Sequence, residues 1–202
     1  MHAGGGFNPP EPTTKGGPDY GRFVESVRMA GDLARGVDAP DQVITAAANL
    51  IEQANALLSP HLSDEWHSPS GRRLDLPNRG GVLNVPSDLN VTDDGRSVGG
   101  PVRFRRYHLG RNGAAHGGAI GLLFDSVLGY AAYRLTDSQF QRTAYLHINY
   151  RKIAPIERDL QASATLERIE GRKIFITGAL RDGDTVLADA EALFVKLKPG
   201  QP

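Results

Sequence analysis

The run His116-Gly117-Gly118-Ala119 leads into a long apolar segment, and Asp125 stands nine residues after the histidine within that segment. A helix that begins at this run presents unpaired backbone N–H groups and the positive end of its dipole. Glycine at positions 117 and 118 leaves no side chain between those donors and a ligand. Donors so placed suit a developing oxyanion, where one N–H is worth about 3 kcal/mol in a transition state. The same two glycines would also serve a tight loop-to-helix turn or close packing. Asp125 is flanked by Leu122, Leu123, Phe124, Val127 and Leu128. A buried carboxylate is costly unless it is partnered, and Asp is a poor residue inside a helix. The expectation is therefore a buried Asp125 acting as general base or nucleophile. The plainer alternative is a partly exposed Asp on a narrow polar stripe with Ser126.

Spacing limits what one chain can do. Gly118 and Asp125 are seven residues apart, about 10 Å along a helix axis. A carboxylate does not easily reach a carbonyl held at the start of its own helix. An antiparallel copy across a two-fold axis would bring the two ends together.

The elements that position these groups follow from periodicity. Gly117 to Arg134 reads as a helix that is apolar almost all round. Four strand-like runs follow, Thr143 to Arg151, Asp159 to Ile169, Lys173 to Arg181 and Thr185 to Leu197, joined at Gly171 and Gly183 by hairpin chemistry. In the first run, Ala144, Leu146, Ile148 and Tyr150 alternate with Thr143, Tyr145, His147, Asn149 and Arg151. Val102 to Tyr107 reads as a preceding strand, and Gly81 to Val85 as a short one. Upstream, Asp19 to Arg35 has helical spacing with Phe23, Val27, Ala30 and Ala34 on one side. A second helix carries an apolar stripe from Val43 to Leu58, with Asp38 as cap, Pro40 in the first turn and Pro60 as stop. The organisation read from this is a disordered tail over 1–18, a helical extension over 19–60, a loop-rich connection over 61–100 and a sheet-and-helix domain over 101–198.

The histidine-glycine-glycine triplet with Asp125 at this spacing resembles the hotdog-fold acyl-CoA thioesterases of the phenylacetate-degradation type. Thr143-Ala144-Tyr145-Leu146-His147-Ile148-Asn149-Tyr150-Arg151-Lys152 is similar to the following strand in the branch containing the mammalian thioesterase-superfamily members. The resemblance covers roughly 100–197. It implies an α+β hotdog fold, an antiparallel sheet wrapped around one long buried helix, with the N-terminal helices outside the minimal fold. It implies that Gly118 or Gly117 supplies an oxyanion N–H, that Asp125 of the other subunit acts as base or nucleophile, and that Thr143 orients a water. His116 is expected to shape and cap the helix start. Arg151, Lys152, Arg172 and Lys173 stand at strand ends where the family meets CoA phosphates, and Asn112 and Asn149 are further substrate-binding candidates. Some relatives place an asparagine six residues before the histidine; here that residue is Gly110. The implied reaction is hydrolysis of an acyl thioester of CoA or acyl carrier protein to the free acid, in lipid metabolism, without cofactor or metal, by a homodimer or a dimer-of-dimers tetramer.

Composition narrows the alternatives. The 23 Lys and Arg residues equal the 23 Asp and Glu residues, so no global field steers the chain to nucleic acid or anionic lipid. The absence of cysteine removes thiolate chemistry and disulfides. No apolar h-region stands near the N-terminus, and no uninterrupted stretch reaches membrane length, so a soluble, cytoplasmic chain is expected. Gly95-Arg96-Ser97-Val98-Gly99 matches the nucleophile-elbow pattern, but Gly100-Pro101 follows where a helix should start. His61, Asp64, Glu65 and His67 lack zinc-site spacing. A dehydratase or hydratase would need an acid–base histidine, for which only His116 and His147 offer themselves. A non-catalytic acyl-CoA sensor would have no need of Asp125.

Overall fold

The computed structural model describes residues 11–64, 67–136, 140–198 and 201. Two N-terminal helices, α1 (Tyr20–Gly36) and α2 (Asp41–Leu58), precede strands β1 (Asn90–Val91) and β2 (Ser97–Arg103). Helix α3 (Gly117–Arg134) follows, then β3 (Gln141–Tyr150), β4 (Asp159–Glu170), β5 (Lys173–Asp182) and β6 (Thr185–Lys196). The strands form one antiparallel sheet in the order β1-β2-β4-β5-β6-β3. Glycines 171 and 183, at φ 59° and 54°, turn the β4–β5 and β5–β6 hairpins.

The core lies between the sheet and α3. Ile120, Leu123, Phe124, Val127, Leu128, Ala131 and Ala132 of the helix are buried against Val98, Val102, Leu160, Ala162, Ala164, Ile174, Ile176, Leu180 and Phe194. The helix presses closest at Gly178 of β5. A Cβ there would stand 2.8 Å from both Leu128 Cδ1 and the Ser163 carbonyl, so glycine sets the depth at which α3 can sit.

Several sequence expectations need correction. The strand expected over Val102 to Tyr107 runs from Ser97 to Arg103 and is followed by a 3-10 turn at Arg106–His108. Gly81 to Val85 is irregular. The cap of α2 is Pro40, with extended ψ of 149°, and not Asp38. Of the Phe23-Val27-Ala30-Ala34 side of α1, Val27 lines a cavity against the domain, and the buried residue of the helix is Val24. Gly21 and Gly31 let α1 approach Leu76 and Tyr107, while Asp32 and Glu25 each bond Arg105 at 2.6 Å. Helix α2 buries none of its residues, and its apolar stripe, including Leu50 and Leu57, is exposed. Of the expected tail, residues 1–10 lie outside the described residues. Thr13 N–H bonds the Arg72 carbonyl, and Arg73 bonds the carbonyls of Lys15 and Gly17. No described helix is long and apolar enough to cross a membrane.

Gly178→Ala is expected to lower unfolding free energy by about 1–3 kcal/mol through overpacking beneath Leu128, read from the denaturant midpoint at unchanged m-value.

Candidate active site

The loop that feeds α3 is built by local backbone chemistry. Asn112 and Gly113 both have positive φ, 52° and 73°, and Ala114 N–H bonds the Arg111 carbonyl at 2.9 Å. This is an Asn-Gly turn with both central residues left-handed. It accounts for Asn112 as a turn residue whose exposed position is set by the backbone. The returning strand of the loop is pinned where His116 N–H bonds the His108 carbonyl at 2.8 Å.

At the helix start, His116 is the N-cap, and its Nδ1 accepts from Gly118 N–H at 2.9 Å. The capping role expected of His116 is the one observed. One of the two candidate oxyanion donors is thereby engaged. Among the described residues no acceptor is found for Gly117 N–H, so it is the donor left open at this end. The Gly117 carbonyl accepts from the Tyr150 hydroxyl at 3.0 Å, which ties the start of α3 to the last residue of β3.

Asp125 departs from the expected burial. In the single chain it is exposed. It is partnered all the same: Thr143 Oγ1 donates to its Oδ1 at 3.0 Å. The two residues meet because β3 carries a bulge. Thr143 pairs with Phe194 but Tyr145 pairs with Leu193, so the register slips at Ala144. Simple alternation put Thr143 on the face opposite Leu146 and Ile148. The slip turns Thr143 to the helix side, the side on which Ile148 meets α3 at Gly121. The α3 face of β3 therefore carries two polar stations, Thr143 with Asp125 near one end and Tyr150 with Gly117 at the other.

The remaining candidates stand apart from this face. Asn149 donates to Asp189 at 2.8 Å, and Arg151 bonds the same carboxylate at 2.5 Å. These two donors, Arg151 foremost, hold the Asp189 carboxyl below the usual carboxylate range. Arg172 donates to the Lys196 carbonyl at 2.9 Å, while Lys152 and Lys173 are exposed. The four basic residues do not form one cluster. Tyr150 pairs with Ala188 and Lys173 with Val195, which separates the Arg151-Lys152 end from the Arg172-Lys173 end by about 23 Å along β6. The elbow-like Ser97 opens β2 and bonds Thr165 across the sheet at 2.8 Å. His67 bonds Asp64, Glu65 lies outside the described residues, and no cluster suited to a metal ion occurs among the described residues. Tyr150 is the site residue that sequence reasoning left among the apolar positions. Its place at the inward end of the alternation was the available signal.

One long apolar helix packed across a face of an antiparallel sheet is the arrangement of a hotdog domain. Residues 112–188 match the thioesterase superfamily. A crystal structure described as a thioesterase superfamily protein superposes with a TM-score of 0.71 at 27% identity, covering 93% of each chain. The chain is 37% identical over 98 residues to acyl-coenzyme A thioesterase THEM4 of Rattus norvegicus, a match covering 47% of this chain and 41% of the relative. It is 34% identical over 79 residues to MIOREX complex component 3 of Saccharomyces cerevisiae, covering 37% and 29%. A mutant thioesterase from Pseudomonas aeruginosa, at 17% identity, TM-score 0.50 and coverage of 55% and 81%, shares the fold. Over residues 112–188 the chain is therefore similar to the thioesterase superfamily, on the hotdog fold it shares with these structures. It spans about two fifths of the length of the rat relative it matches.

His116→Ala removes the acceptor for Gly118 N–H and is expected to destabilise the protein by about 1 kcal/mol. His116→Asn, which can cap in the same place, is expected to restore most of that loss in chemical denaturation.

Proposed function

We propose that this chain hydrolyses acyl-CoA thioesters at a site shared by two copies of itself. The observation that carries the reading is the placement of two polar stations on β3, a strand ten residues long at the free edge of the sheet. An unpaired edge of that length is a template for another strand. Antiparallel pairing of β3 with β3 of a second copy, about an axis at His147 and with the Ala144 bulge of each strand left unpaired, sets Thr143 of one opposite Tyr150 of the other. Asp125, held by Thr143, then faces the partner's helix start, where Gly117 N–H is open. The same pairing covers the exposed side of Asp125 and brings the Arg151-Lys152 end of one copy to the Arg172-Lys173 end of its mate.

The chemistry follows from the two stations. The thioester carbonyl oxygen takes the Gly117 N–H and the helix dipole, which favour the charge that develops on it. Asp125 of the opposite copy then either removes a proton from an attacking water, with Thr143 fixing the carboxylate, or attacks the carbonyl itself. Thiolate departure and addition of water yield the free acid and CoA. The names of the relatives support a CoA thioester as substrate, and basic residues at the strand ends suit its phosphates.

Asp125→Ala is expected to lower kcat by about 10²–10⁴-fold in a thiol-release assay over a panel of acyl-CoA chain lengths, with binding retained. Wild-type protein that binds acyl-CoA but turns over no member of the panel would make it a sensor and end the hydrolytic reading.

A further inference from the structure

A second feature lies away from β3. Helix α1, the 82–86 segment and the 3-10 turn after β2 line a partly open cavity of about 290 Å³. That is near the lower bound of small-molecule sites, about 300 Å³. Its walls include Val27, Val82, Leu83, Pro86 and Tyr107, and Arg28 lines it as well. The cavity adjoins the β2 side of the sheet. Four interstrand steps, about 19 Å, separate β2 from β3.

Arg28 is the unusual member of this lining. Its side chain is only 9% exposed. One terminal nitrogen donates to the Gly81 carbonyl, and the nearest carboxylate oxygen, on Glu25, is 3.7 Å from the other, beyond hydrogen-bonding range. Its Nε finds no hydrogen-bond partner among the described residues. A buried guanidinium with an unmet donor is costly, and burial accordingly pushes the Arg28 pKa down. The neighbouring Arg105 has no such need, because Asp32 and Glu25 both bond it at 2.6 Å. His108, also in the lining, accepts the Arg105 backbone N–H at its Nδ1. That bond leaves the ring proton on Nε2, as an uncharged donor.

We propose that this cavity binds a compact aliphatic carboxylate, its headgroup on the Arg28 guanidinium and its chain along Val27, Val82, Leu83, Pro86 and Tyr107. The single guanidinium of Arg28 in this lining, with only the long 3.7 Å pair to Glu25 for counter-charge, matches one negative charge and suits the flat carboxylate. A phosphate, with up to two charges, would need the second cation that Arg105 has already committed to α1. The apolar walls call for a hydrocarbon tail, and the volume keeps that tail short. The inference stands whether or not the β3 face hydrolyses thioesters.

The test is isothermal titration calorimetry of the full chain with octanoate and with 1-octanol. Octanoate is expected to bind one site, with 1-octanol at least tenfold weaker. Arg28→Met and Val27→Phe, which remove the cation and narrow the cavity, are each expected to weaken octanoate at least tenfold. If circular dichroism shows Arg28→Met unfolded, Val27→Phe and the alcohol comparison decide. No octanoate binding to wild type, equal binding of acid and alcohol, or undiminished binding in Val27→Phe overturns the proposal. The last result would assign octanoate to another place, such as the β3 face.

Discussion

A helix is stiff, and α3 carries its open N–H donor and its carboxylate on different turns. Gly117 opens the helix and Asp125 lies eight residues on, about 12 Å along the axis. No side-chain rotation closes that gap, so the two groups cannot act on one bond within a single chain. The rest of the architecture deals with this separation. The sheet holds α3 by its buried face, Gly178 fixes how deeply it sits, and β3 alongside secures its start through Tyr150 and its middle through Thr143.

The edge position of β3 turns this rigidity into a route to function. Two copies joined along that edge would exchange ends, and each separated pair would meet its counterpart. Bonding in the loops fits the same economy. His116 engages the Gly118 donor and leaves the Gly117 donor free, so the cap itself selects which N–H faces a ligand. Under the proposed pairing, the exposure of Asp125 in one chain is a property of half a site. A carboxylate left permanently buried would demand a partner inside its own chain.

Much of this was legible in the sequence, and the misses have physical causes. Helix α3 and strands β3 to β6 announced themselves through dense apolar periodicity and glycine turns at 171 and 183. The His116 cap followed from its place before Gly117. The bulge at Ala144 was invisible because it leaves composition unchanged while reversing the face on which Thr143 lies. The start of β2 was hidden by Gly99, Gly100 and Pro101, which read as loop. Helix α1 packs through glycines, Val24 and ion pairs to Arg105, contacts that its apolar spacing does not announce. Asp125 was expected to be buried because an apolar helix was read as enclosed on every side by its own chain. The division of the basic residues between two ends of the sheet was available in principle from antiparallel strand order, but only once the order β5-β6-β3 was known.

The shared site is tested most directly by mixing subunits. Gly117→Pro removes the open N–H at a helix position that tolerates proline, and His116 already has the extended backbone that a following proline requires. Protein carrying Gly117→Pro alone, or Asp125→Ala alone, is expected to be inactive toward acyl-CoA. Equal amounts unfolded and refolded together are expected to regain about a quarter of wild-type activity, because half the dimers are mixed and each mixed dimer has one intact site of two. A mixture that forms mixed dimers but regains no activity would contradict the account, since every site would then draw both groups from one chain.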